Sequence, residues 1–163
     1  MEESQAVSQE GEDENLQKGL WINRRFLLTP ALSSRRFYQV LAAPTIFLTV
    51  LRDKFRFITN QYVLAELEEL LQGKFRGHSN LQNKLFLLLG IAEMEVLSYP
   101  SKKEVVKTAK IISKKDAPIL VSALVSAKFL VTLDNEFMAK KVSEYALKHG
   151  LKVLKPGNLI KRN

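Results

Sequence analysis

The sequence predicts an α/β domain, a three-layer α/β/α sandwich around a mainly parallel sheet. Three observations carry this. Short apolar strands alternate with helical periodicities along the chain. The run "FLVTL" at 129–133 is apolar throughout, as in a strand covered on both faces. The helix before it, "PILVSALVSAK", is apolar nearly all round and therefore must be buried.

Residues 1–20 carry six acids against Lys18, a net charge of −5, and almost no branched or aromatic side chains. Such a segment cannot bury enough surface to order itself, so it is expected to be a disordered acidic tail. The folded domain is expected over 21–163. "RRFLLT" at 24–29 reads as its first strand, stopped by Pro30. A helical region follows over 33–54, interrupted by Pro44, and then a strand "FRFIT" at 55–59.

"NQYVLAELEELLQGK" places Val63, Leu67, Leu70 and Leu71 on one helical stripe, with Gly73 as the stop. A further helix, "SNLQNKLFLLLGIAEM", leads to the strand "EVLSY" before Pro100. "SKKE" at 101–104 has the spacing of a capping box for a helix over 101–113. Asp116 stands at the next N-cap, with Pro118 in the first turn, where its missing N–H costs little. After "FLVTL", one helix, "NEFMAKKVSEYALKHG", closes at Gly150, and "LKVLK" is the last strand.

The chain has 163 residues and 46% hydrophobic content, enough for one domain with a proper core. It has no cysteine, which excludes a disulfide framework, a thiolate metal site and a cysteine nucleophile. The longest apolar stretch, 41–51, is shorter than the roughly 18 residues of a membrane span, and the N-terminus is not signal-like. A soluble, cytoplasmic protein is expected. Residues 21–163 hold 24 Lys and Arg against 11 acids, a net charge of about +13. That excess fits a polyanionic partner such as RNA, and equally fits a basic surface that only keeps the protein soluble.

In an open parallel sheet, ligands sit at the carboxyl ends of the strands. Asp134 follows its strand directly. The helix opened by Asp116 starts at the same edge, runs down the sheet and returns through that strand, so Asp116 and Asp134 are expected to meet. Glu66 lies at the margin of its helix's apolar stripe, whereas Glu69 points to solvent. Gathered carboxylates repel one another, and a divalent cation such as Mg²⁺ or Mn²⁺ relieves the repulsion. Such an ion can activate water against a phosphodiester, which in a basic domain reads as a metal-dependent nuclease. Each acid also has a plain structural reading: Asp116 and Asp134 as helix caps, Glu66 as a solvated flank. His78 falls in a polar loop, and His149 near a helix C-terminus where a cation suits the dipole.

"KDAPILVSALVSAKFLVTLDNEF" at 115–137 resembles the C-terminal half of PIN domains, a family of Mg²⁺-dependent nucleases that includes toxins of toxin–antitoxin pairs. Asp116, Thr132, Asp134, Glu136 and Phe137 match the family pattern in order, and "QYVLAELEELL" is similar to the helix that presents the family's glutamate, here Glu66. The resemblance spans roughly 24–160. It implies an endoribonuclease acting on single-stranded RNA, with Glu66, Asp116 and Asp134 as catalytic metal ligands for Mg²⁺ or Mn²⁺, and Glu136 and Thr132 as auxiliary groups. It also implies protein partners of antitoxin type or a second copy of the chain. The family's first strand ends in Asp-x-Asn, and gap-free spacing back from Pro44 sets Thr29 and Ala31 at those places. A hydroxyl is a poor substitute for a carboxylate on a hard cation. The alternative is therefore a degenerate, non-catalytic member that binds RNA or a protein.

Overall fold

The computed structural model describes residues 18–22, 42–73, 76 and 79–160. Five strands form one parallel sheet: β1 (Lys18–Ile22), β2 (Phe55–Asn60), β3 (Glu95–Leu97), β4 (Phe129–Val131) and β5 (Lys152–Leu154), in the order β3-β2-β1-β4-β5. β1 pairs with β2 from Lys18 opposite Phe55 to Trp21 opposite Ile58, and with β4 from Leu20 opposite Phe129 to Ile22 opposite Val131. The connections from β1 to β2 and from β2 to β3 step one way across the sheet, and those from β3 to β4 and from β4 to β5 step the other way. Right-handed crossovers then put helices on both faces, the α/β architecture expected. Among the described residues, no helix is long and apolar enough to cross a membrane.

The expected first strand at 24–29, with Thr29 and Ala31, lies outside the described residues. The strand in the centre of the sheet is Lys18–Ile22, which the expected boundary of the acidic tail at residue 20 would have cut. Its residue Gly19 lies under the end of α5 (Ala117–Ser126): a Cβ there would stand 2.7 Å from the Ser126 carbonyl oxygen and 3.0 Å from Ile58 Cδ1. Only glycine permits that approach.

α1 (Ala42–Leu51) contains Pro44, and residues 33–41 of the expected helical region lie outside the described residues. α2 (Gln61–Gln72) begins on Asn60, whose side chain accepts from the Val63 N–H at 2.9 Å. Val63, Leu67 and Leu71 face the core, and the helix stops at Gly73. α3 (Ser79–Ile91) leads to β3.

α4 covers only Lys102–Thr108 of the expected 101–113, and the Ser101 hydroxyl makes no cap hydrogen bond, so the expected capping box does not form. Glu104 instead pairs with Lys107 Nζ at 3.0 Å. Tight turns follow, with the Lys110 N–H bonded to the Lys107 carbonyl and the Ile111 N–H to the Thr108 carbonyl. They sink Ile112 into the core, 5% exposed.

Residues 117–123 of α5 are all buried, and the helix passes through Ala127 and Lys128 into β4. The expected single helix after β4 is two: α6 (Asn135–Met138) and α7 (Lys140–Lys148), broken at Ala139, which has extended ψ 138 and whose carbonyl accepts the first N–H groups of α7. Gly150 closes α7 at φ 81, and the Leu151 N–H bonds back to the Ala146 carbonyl. A last helix, α8 (Pro156–Ile160), starts at the proline expected only to end β5. Phe57, Ile58, Leu67, Ile119, Leu120 and Phe137 are fully buried at the centre of the core.

Candidate functional site

The Lys128 N–H donates to the Gly19 carbonyl at 2.9 Å, so α5 ends at the amino edge of the sheet and starts at the carboxyl edge. Asp116 opens it there. β4 ends at the same edge, and Thr132 continues the sheet by donating its N–H to the Leu154 carbonyl at 3.0 Å. Beyond Thr132 the chain turns sharply. The Asp134 N–H donates to Thr132 Oγ1 at 3.0 Å, and the Glu136 N–H donates to Asp134 Oδ1 at 3.0 Å. Asp134 thus caps α6 from a buried position, 4% exposed, and Thr132 is fully buried.

Asp116 is 1% exposed and occupies the N-cap position of α5, yet its side chain makes no cap hydrogen bond. Its Oδ2 accepts from the Ser113 hydroxyl at 2.9 Å. The Ser113 N–H donates to Glu136 Oε1 at 2.6 Å, a short, charge-assisted bond. One serine therefore holds two carboxylates that are twenty residues apart in sequence.

Burial pushes the Asp116 carboxyl above its ordinary value. The Ser113 hydroxyl opposes the rise, while a hydrogen bond with Glu136 and the charges of Asp134 and Glu136 add to it. For Glu136, burial also acts upward, but it is outweighed by the Ser113 N–H, the Asp116 side chain, the Ser113 hydroxyl and the charge of Lys115, so Glu136 lies below its ordinary value. The two shifts separate the pair, with Asp116 the group that holds a proton more readily and Glu136 the group that stays ionised.

Asp116, Asp134 and Glu136 thus form one cluster at the carboxyl edge, with Thr132 bracing the turn. Glu66 stands on α2, half-buried, its Oε1 accepting from the Tyr62 hydroxyl at 3.3 Å. Among the described residues, no three His, Cys, Asp or Glu side chains are arranged to hold a metal ion on protein ligands alone. Asp116 and Asp134 supply hard oxygen donors from two facing elements. That suits a small cation that takes one or two carboxylates and completes its shell with water and phosphate oxygens. His78 lies outside the described residues, and His149 ends α7 with Nδ1 2.8 Å from the Tyr145 carbonyl.

Three polar residues that the sequence reading passed over shape this edge. Ser113 had a signal, because "SKKD" at 113–116 repeats the spacing of "SKKE" at 101–104. Asn60 had one as well, standing just ahead of an amphipathic helix. Ser122 is an isolated hydroxyl in an apolar run. It is 5% exposed and accepts from Asn60 Nδ2 at 2.8 Å, which joins the carboxyl end of β2 to the middle of α5.

No protein-family model matches the chain, and no curated protein matches it. Among solved structures, the fold is similar to the crystal structure of PAE2754 from Pyrobaculum aerophilum, with a TM-score of 0.56 and 19% identity over 89% of this chain and 96% of that one. The likeness is one of fold.

Proposed function

We propose that the chain is a PIN-like, metal-dependent endoribonuclease acting on single-stranded RNA, with Mg²⁺ or Mn²⁺ held by Asp116 and Asp134 at the carboxyl edge of the sheet. The observation that carries this reading is the burial of Asp116 beside Asp134, 1% and 4% exposed. The burial of Asp116 and the nearby charges of Asp134 and Glu136 make ionised Asp116 costly to stability, and a divalent cation held by Asp116 and Asp134 would offset that cost. Once bound, the ion polarises a phosphodiester and lowers the pKa of a water.

The chain's own groups have separate tasks in this reading. Thr132 fixes the turn that aims Asp134. Ser113 holds Asp116 by its hydroxyl and keeps Glu136 ionised by its N–H, so Glu136 can accept a proton beside the ion. Glu66, on α2, is the third acid that the resemblance implies, and in this reading it would add negative charge for the waters of the cation.

A non-catalytic relative that binds RNA is the second reading, and one observation favours it. No Asp or Glu stands between Glu14 and Asp53, a span that holds both the central strand Lys18–Ile22 and Thr29, so the first aspartate of the resemblance has no counterpart here.

A fluorogenic single-stranded RNA separates the two. The nuclease reading expects cleavage that depends on Mg²⁺ or Mn²⁺, stops with chelator and is lost in Asp134→Asn. RNA that binds and stays intact at every metal concentration overturns the first reading in favour of the second.

A further inference from the structure

A second feature lies next to the acid cluster, on the outer side of α7. Ile111, Lys140, Lys141, Glu144, Tyr145 and Lys148 line a depression of about 530 Å³ between the turn at 109–112 and the helix. Its walls are fixed. Lys141 Nζ donates to the Lys110 carbonyl at 2.9 Å and so straps α7 to the turn. The Tyr145 ring lies 4.5 Å from the His149 ring at 43°, and the short bond between His149 Nδ1 and the Tyr145 carbonyl holds the imidazole there. Tyr145 is half-buried and packs against the core, so its ring is presented on a rigid base.

The charge of this lining is positive on balance. Three lysines face one acid, and Glu144 leans on Lys140 at 3.9 Å, both side chains being exposed. Lys140 and Lys148 are eight residues apart on one helix, a span of about 12 Å along its axis, with Tyr145 between them. Cations at both ends with an aromatic ring and the Ile111 side chain between suit a polymer that carries charge along its backbone and a flat apolar group on each unit. Single-stranded nucleic acid has that build: phosphates pair with the lysines while a base stacks on the ring. An acidic peptide would satisfy the lysines and leave the ring unused.

The depression also connects to the acid cluster through short covalent and hydrogen-bonded links. The 109–112 turn runs into Ser113, which is bonded to both Asp116 and Glu136, and α6, which carries Glu136, is joined to α7 at Ala139. A strand lying along α7 therefore runs toward Asp116 and Asp134.

We propose that the depression lined by Lys140, Tyr145 and Lys148 binds the nucleotides that flank the phosphate at the acid cluster, one base stacked on Tyr145. The proposal rests on the nuclease reading for the position of the reacting phosphate, and its binding step requires no metal.

The test is fluorescence anisotropy of a fluorescein-labelled U12 oligoribonucleotide with the full chain in EDTA. The wild type binds with a salt-dependent affinity. Tyr145→Leu weakens it roughly 5- to 160-fold. Lys148→Gln weakens it less and reduces the slope of log K against log salt by about 0.7. Lys148 is exposed, so if Tyr145→Leu lowers the melting temperature, Lys148→Gln decides alone. Wild-type affinity in both variants, no U12 binding by the wild type, or displacement of U12 by polyglutamate of equal charge as readily as by unlabelled U12 overturns the proposal. Metal-dependent cleavage with no effect of these variants would leave the nuclease reading standing and remove this site alone. Binding lost in the variants with no cleavage in the wild type would do the reverse.

Discussion

Asn60 and Ser122 are joined by a 2.8 Å hydrogen bond between two buried side chains, 62 residues apart in sequence. The same Asn60 caps α2 through its Oδ1. It therefore sets how α2, which carries Glu66, sits against α5, which Asp116 opens. Asn60→Ala should cost about 2–4 kcal/mol, combining a lost cap with a buried hydroxyl deprived of its donor. Ser122→Ala should cost about 1–3 kcal/mol, since it strands the Asn60 amide. Urea unfolding of the two single variants and the double variant checks this. The double variant should cost less than the sum of the singles, as expected for residues in contact.

The acid cluster makes stability depend on pH in a definite direction. The folded carboxyl of Asp116 lies above 3.8, its ordinary value, so the native state binds more protons than the unfolded state between 3.8 and the raised value. Stability then falls as pH rises through that window. Glu136 acts oppositely: its folded value lies below 4.5, so its contribution is present above 4.5 and is lost as pH falls through the lowered value. Asp116→Asn keeps an acceptor for Ser113 and removes the buried charge. The variant should be more stable than the wild type at pH 7 without metal, because the amide removes a charge that burial disfavours. That advantage should shrink as pH falls toward 3.8. Chemical denaturation across pH 4–8 measures both curves, and a constant difference would contradict the assignment.

Gly19→Ala should destabilise the fold by about 1–3 kcal/mol, because the added methyl meets the backbone oxygen of Ser126 at 2.7 Å, and neither β1 nor the end of α5 can yield without disturbing the sheet. For a chain of this size, that is a fall of about 2–12 °C in melting temperature. Calorimetry reads it directly.

Much of this architecture was legible where local and tertiary preferences agree. α2 carries its cap, stripe and stop within one short window, and the apolar run of α5 and β4 admits little besides a buried helix and strand. The meeting of Asp116 with Asp134 followed from parallel topology alone. Where tertiary contacts decide, the sequence misled. "SKKE" and "SKKD" read alike, yet only the second serine bonds its acid, because Glu136 lies within reach of Ser113 and Ser101 lies on an exposed corner. Ala139 breaks a helix that its own propensity would continue, because the short α6 must bury Phe137 while Asp134 caps it. β1 is a five-residue strand next to an acidic segment, and its partners on both sides, β2 and β4, are distant in sequence. No local signal marks it as the centre of the sheet.

Isothermal titration of Mn²⁺ into the wild type, Asp116→Asn and Asp134→Asn decides whether Asp116 and Asp134 form a cation site. The wild type should bind one ion, and Mn²⁺ at a hundred times its Kd should add about 2.7 kcal/mol of stability. Each amide variant should lose most of that affinity while remaining folded. Mn²⁺ binding that is absent from the wild type, or equally strong in wild type and Asp134→Asn, would rule the site out.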